Sequence, residues 1–125
     1  MMKQPLLSRS FPFRGILAAA CLALLLAGCC RTPSLENAVL IDARSLEEYE
    51  KDGHLDGAIL IPHDQLSAVI ETRVPDKDTL IYVHCSKGRR SEMAQKTLKE
   101  KGYTRVKNLG GLESAAKRLD REIVK

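Results

Sequence analysis

Thr79-Leu-Ile-Tyr-Val-His84, continued without a break by Cys85-Ser-Lys-Gly-Arg-Arg90 and by a helix-like stretch from Ser91, is the segment on which the fold turns. Its apolar run does not alternate with polar residues, which predicts a short strand buried on both faces, the kind found in parallel sheets. Gly88 then lets the chain turn into a helix. Such a strand-turn-helix aims several backbone N–H groups, and the positive end of the helix dipole, at one point beside the cysteine sulfur. Lys87, Arg89 and Arg90 add three positive charges within six residues. The thiol is therefore expected to ionise more readily than a free cysteine, as a nucleophile requires. A cysteine at a strand end is often just a small buried hydrophobe. That role gains nothing from three adjacent cations, whose burial would be costly. Cys85 is the candidate nucleophile, and Ser86, Lys87, Gly88, Arg89, Arg90 and Ser91 form the candidate anion cradle.

Working outward, Ala38–Ile41, Ala58–Ile61 and Arg105–Leu109 read as further short strands. Helices are expected from a Ser45 cap to about Asp52, from Gln65 (capped by Asp64) to about Arg73, from Ser91 to Lys101, and from Leu112 to Val124. Ser45 and Glu48 have capping-box spacing, and Gly53 and Gly102 are placed to stop two of the helices. Leu66, Val69 and Ile70 should share one buried face, and so should Met93, Ala94, Thr97 and Leu98. Buried strands alternating with amphipathic helices predict an α/β fold, a parallel sheet of four or five strands with helices on both faces. Ligands of such sheets lie beyond the carboxyl ends of the strands, where Cys85 and Asp42 both fall. Two readings of Asp42 stand: it orients the loop's donors or a loop arginine, or it joins Arg44 in tying the first strand to Glu47 or Glu48. Arg44 is read as such a tie, and neither residue as a chemical participant.

Three blocks of residues resemble one family. Cys85, Gly88 and Arg90 match the C-x-x-G-x-R active-site loop of rhodanese-type sulfurtransferases. Ile41-Asp-Ala-Arg44, Glu47-Glu-Tyr49, Gly53-His-Leu-Asp-Gly-Ala58 and Ile61-Pro62 resemble its D-x-R, E-x-[FY] and G-H-I-x-G-A-x-x-I-P segments in order and spacing. Gly102-Tyr103, Val106, Leu109 and Gly110-Gly111-Leu112 are similar to the end of its small single-domain members, especially the phage-shock-type periplasmic thiosulfate sulfurtransferases. The resemblance implies that Cys85 attacks the outer sulfur of thiosulfate, sulfite leaves, and the resulting persulfide passes to cyanide or a thiol. It implies no cofactor. Nor is a general base or a metal expected: His84 should point to the face opposite Cys85, His54 reads as a turn or packing residue, and His63 has no partner at ligand spacing.

The other end of the chain bears on where this chemistry happens. Lys3, Arg9 and Arg14, the apolar run from Ile16 to Ala27, and Leu26-Ala-Gly-Cys29 have the arrangement of an export signal. The run is short for a permanent span, which needs about 20 apolar residues. Leu26-Ala-Gly-Cys29 resembles the lipobox of bacterial lipoproteins, so residues 1–28 are expected to be cleaved, Cys29 to be lipidated, 29–37 to act as a linker and 38–125 to fold as one domain. The expected location is the periplasmic side of the cell envelope, anchored to a membrane. Because Cys30 is not aspartate, the outer membrane is favoured. Residues 1–28 hold three of the 20 Lys and Arg and none of the 16 Asp and Glu, so the remainder is almost neutral. With Tyr49, Tyr82 and Tyr103 its only aromatics and no basic stripe, nothing supports nucleic-acid binding.

Two other functions compete with the enzyme. One is a carrier that accepts a persulfide from a partner protein and hands it on. The other is a phosphatase or arsenate reductase of related fold. Against the latter, those loops put five residues between cysteine and arginine, whereas four separate Cys85 from Arg90.

Overall fold

Ten elements follow one another in residues 35–125, the part of the chain that the computed structural model describes: β1 (Ala38–Asp42), α1 (Leu46–Lys51), β2 (His54–Leu55), β3 (Ile59–Leu60), α2 (Leu66–Arg73), β4 (Leu80–His84), α3 (Arg89–Glu100), β5 (Val106–Gly110), α4 (Leu112–Leu119) and β6 (Ile123–Val124). The expected signal, Cys29 and most of the 29–37 linker lie outside the described residues.

Four strands form one parallel sheet in the order β3-β1-β4-β5, so the fold is the α/β architecture that the sequence predicts. β1 and β4 run in register from Ala38 opposite Leu80 to Asp42 opposite His84. Because side chains alternate across a strand, this pairing divides the core in two. Ile41, Ile81 and Val83 pack with Leu66 and Ile70 of α2 and Ala94 and Leu98 of α3. Leu40 and Tyr82 pack on the other face with Leu55, Leu109, and Ala115 and Leu119 of α4. Each large aliphatic buried this way is worth about 1.5–3 kcal/mol, so burial holds α2, α3 and α4 to the sheet. α1 buries no residue. It rests instead on the complete capping box between Ser45 and Glu48.

Five local expectations are corrected. The last helix ends at Leu119, where Asp120 takes a left-handed conformation (φ 50°), and β-branched Ile123 and Val124 leave it to pair antiparallel with His54 and Leu55. His54 thus lies in a short strand rather than a turn. α3 begins at Arg89, two residues early, because Gly88 turns the chain at φ 98°. Asp64 does not cap α2. Its N-cap is Gln65, without a side-chain bond, and Leu66 N–H donates to Pro62 O at 3.0 Å. Met93 is 52% exposed, since the inward face of α3 is carried by Ser91, Ala94 and Leu98.

Candidate active site

Cys85 leaves the carboxyl end of β4 with its side chain 1% exposed, and the chain immediately wraps its sulfur. Gly88 N–H donates to Sγ at 2.9 Å, and the thiol lies 3.5 Å from Ser91 Oγ. Ser91 is fully buried, and its hydroxyl donates to Gly88 O at 2.9 Å. The loop is held from outside by the segment after β5. Cys85 N–H donates to Gly110 O at 3.0 Å, and Lys87 bridges to Gly111. Gly111 is required sterically, because a Cβ there would stand 2.6 Å from Ser86 O.

Burial raises the Cys85 pKa, but the Ser91 hydroxyl and the N–H groups of Ser91, Lys87 and Gly88 outweigh it, leaving the thiol below its ordinary value. The expected acidification is present, and of its two expected sources the loop amides act, joined by the Ser91 hydroxyl, while the cations are not among its causes. Hydroxyl and amide dipoles favour the anion, whereas the loop's cations are directed elsewhere. Arg90 is engaged by Glu48, its Nη1 donating to Oε2 and its Nη2 to Oε1, each at 2.6 Å. Arg90 Nη2 also donates to Ser86 Oγ at 2.8 Å. With Arg90 as the first cause, the Glu48 carboxyl is lowered to about 2. Lys87 and Arg89 are exposed.

Neither reading of Asp42 and Arg44 survives. Arg44, 1% exposed, folds back on Asp42 through Nε and Nη2 at 2.7–3.1 Å and gives a further Nη2 bond of 2.7 Å to Gly53 O. Arg44 therefore joins β1 to the start of β2 and not to Glu47 or Glu48. Asp42 touches Arg44 rather than the loop, because both sit on the sheet face away from Sγ. His84 lies on that same face, as expected, with Nε2 3.8 Å from Asp42 Oδ2 and Nδ1 3.4 Å from Cys85 O. Burial holds its imidazole below the usual pKa despite the pull of Asp42. A neutral ring donating from Nδ1 fits the Cys85 carbonyl contact and leaves Nε2 buried without a hydrogen-bond partner among the described residues. His54 stacks on Tyr49 with ring centroids 3.9 Å apart, a packing role.

Sequence reasoning missed two residues that shape the loop. Glu48 is recognisable as a cap, but its pairing with Arg90 spans 42 positions and leaves no local signal. Gly111 carries φ −80°, open to any residue, so only the neighbouring Ser86 carbonyl reveals why it is glycine.

A buried, acidified thiol in an amide-lined loop at the carboxyl edge of this sheet defines the class: residues 31–117 match the rhodanese-like domain, and the chain belongs to the rhodanese-like family. Among its relatives is the thiosulfate sulfurtransferase PspE of Escherichia coli, 45% identical over 76 residues that cover 61% of this chain and 72% of that one. The putative sulfur carrier protein YrkF of Bacillus subtilis is 37% identical over 81 residues, 63% of this chain and 41% of the relative. Of solved structures, a rhodanese with anions from E. coli superposes with a TM-score of 0.59 at 43% identity, covering 62% of this chain and 89% of that one.

Proposed function

We propose that this sulfurtransferase takes sulfane sulfur from thiosulfate, holds it as a persulfide on Cys85 and passes it to a thiophile such as cyanide or a thiol. The observation that carries the reading is the 2.9 Å approach of Gly88 N–H to Cys85 Sγ inside a loop that lowers the thiol's pKa. In the resting thiol, S–H donates to Ser91 Oγ and the Ser91 hydroxyl donates to Gly88 O. A thiolate can only accept, so the Ser91 proton turns to sulfur when Cys85 ionises. The thiolate pair then forms the new S–S bond, the S–S bond of thiosulfate breaks, and sulfite leaves with the other pair. The loop amides stabilise the persulfide anion, and exposed Lys87 and Arg89 draw in the dianionic donor. Arg90 keeps Ser86 and the loop in place from its seat on Glu48. That pairing also disfavours phosphatase chemistry, because the loop arginine is occupied instead of open to a tetrahedral anion.

The test is sulfite release from thiosulfate and cyanide by the protein beside its Cys85→Ala variant, with intact mass to detect a gain of one sulfur. Turnover and the adduct in the parent alone support the reading, and an aryl phosphate turned over faster than thiosulfate overturns it. A persulfide carrier is the second reading, favoured by the similarity to YrkF. Transfer from a loaded partner protein outpacing transfer from thiosulfate would select it. We also propose that the protein works on the periplasmic side of the envelope, anchored through a lipidated Cys29. Palmitate labelling that survives a Cys29→Ala change excludes that anchor.

A further inference from the structure

Glu48 belongs to α1, yet its carboxylate decides what the Cys85 loop offers to an anion. Its own helix sets it in place, since Ser45 N–H donates to Oε2 at 3.1 Å and the Ser45 hydroxyl donates to the same oxygen at 3.0 Å. From that seat it takes both ends of the Arg90 guanidinium at 2.6 Å. Arg90 stays at the loop, because its Nη2 also donates to Ser86 Oγ at 2.8 Å, one residue from the nucleophile. The Glu48 carboxyl, lowered to about 2, is ionised at neutral pH. The Arg90 and Glu48 side chains are 27% and 29% exposed, so an anion from solvent can compete for the guanidinium.

What the sulfur then faces is a cradle of neutral dipoles, the Gly88 N–H at 2.9 Å and the Ser91 hydroxyl. Such a cradle suits a single anionic sulfur. A tetrahedral oxyanion such as sulfite, sulfate or phosphate spreads its charge over several oxygens and is held best by an arginine fork, through two parallel N–H···O bonds. Here a carboxylate that the fold keeps in place fills the fork. A diffusing oxyanion would have to surrender its freedom of movement to replace it. Lys87 and Arg89 are exposed, and their side chains make no hydrogen bond to the loop among the described residues, so they attract anions without holding one against the sulfur.

We propose that Glu48 is a positioning residue that sets the anion selectivity of the sulfur-transfer site: by occupying Arg90 it denies the loop a two-pronged hold on tetrahedral oxyanions. The inference rests on the sulfur-transfer reading of Cys85 and adds to it the control of product departure. Cleavage of the donor leaves a persulfide and sulfite together at the loop. Sulfite kept there by a free Arg90 would reverse the step. Its sulfur lone pair would attack the outer sulfur of the persulfide, the Sγ–S bond would break with its pair staying on Cys85, and thiosulfate would re-form. With Arg90 engaged by Glu48, sulfite leaves and the persulfide survives to meet an acceptor. For the same reason phosphate and sulfate do not block the thiol.

The experiment compares the full chain with Glu48→Gln and with Glu48→Gln combined with Arg90→Lys, at fixed ionic strength so that Lys87 and Arg89 act equally in all three. One arm measures the phosphate and sulfate concentrations that half-protect Cys85 from iodoacetamide, which needs no turnover. The other follows thiocyanate formation from thiosulfate and cyanide and measures the inhibition constant of added sulfite. A hydrogen-bonded charge pair is worth about tenfold or more in binding. In Glu48→Gln half-protection should come at about tenfold less phosphate or sulfate, and the sulfite constant should fall about tenfold, although kcat falls as well. Arg90→Lys, which has no fork, should cancel both gains. A loop merely loosened by the change would hold anions no better, so constants equal to or weaker than the parent's overturn the role of Glu48. A gain that survives Arg90→Lys overturns it too. A parent chain that forms no thiocyanate strikes the sulfur-transfer reading instead, and the protection arm still reads Glu48 by itself.

Discussion

Glu48 grips Arg90 with both carboxylate oxygens, at 2.6 Å each, and so ties the first turn of α1 to the first turn of α3 across 42 positions of sequence. The same carboxylate closes the α1 capping box on Ser45. One side chain therefore holds a helix that buries nothing and the arginine that steadies the loop. The charge of Arg90 is spent internally, and the cations left to meet a donor are Lys87 and Arg89, which have no ion-pair partner among the described residues.

Glu48→Gln keeps a side chain able to cap α1 but releases Arg90. The pair is partly exposed, so the loss of stability is about 1 kcal/mol or less, while kcat falls because Ser86 and the loop lose their anchor. Glu48 titrates at about 2 when folded against 4.5 ordinarily. A depressed carboxyl stabilises the fold above its unfolded pKa, and that contribution is lost as pH drops from about 4.5 towards 2. Denaturant titrations over that window should slope less in the variant than in the parent. Parallel slopes would remove Glu48 from this role.

Removing the Ser91 hydroxyl takes away the largest of the influences that lower the Cys85 pKa. In Ser91→Ala the pH midpoint for alkylation of Cys85 by iodoacetamide should rise, and sulfite release at neutral pH should slow accordingly. The stability cost is about 0.5–1.5 kcal/mol, because the Gly88 carbonyl loses one of two donors and keeps Glu92 N–H at 3.0 Å. An alkylation midpoint that does not move contradicts the hydroxyl's part in acidifying the thiol.

Burial keeps His84 neutral, with a folded pKa below its ordinary 6.5. The unfolded chain binds this proton more readily, so stability is full above pH 6.5 and falls as pH drops below it, by at most about 1.4 kcal/mol per pH unit. Unfolding free energies measured between pH 7.5 and 5.5 should show that slope, and His84→Gln should flatten it. If the slope persists in the variant, another group is responsible.

Two glycines separate space from conformation. At Gly111 a methyl would lie 2.6 Å from Ser86 O, so Gly111→Ala must push the catalytic loop and should cut kcat by about tenfold or more. At Gly102 nothing lies within 4 Å but φ is 94°, so Gly102→Ala should cost about 1–2 kcal/mol of stability and leave kcat alone. Paired thermal melts and sulfite-release rates check both. Equal activity losses in the two variants would sink the distinction.

Local chemistry made much of this protein readable in one dimension. Continuous apolar runs at Ala38–Ile41 and Thr79–His84 specify strands buried on both faces, and Cys85 followed by Gly88 specifies a turn whose amides meet at sulfur, because such preferences depend on neighbours in sequence. Contacts between distant segments follow a different logic. Nothing near Arg90 announces Glu48, nothing near Gly111 announces the Ser86 carbonyl, and nothing in Asp42-Ala-Arg44 says that the arginine bends back to its own aspartate and to Gly53 O. Ile123 and Val124 extend an apparent helix in the sequence, yet they form a strand because the backbone of His54 and Leu55 stands ready to pair with them. Packing brings these groups together, and packing is where Arg90 found Glu48.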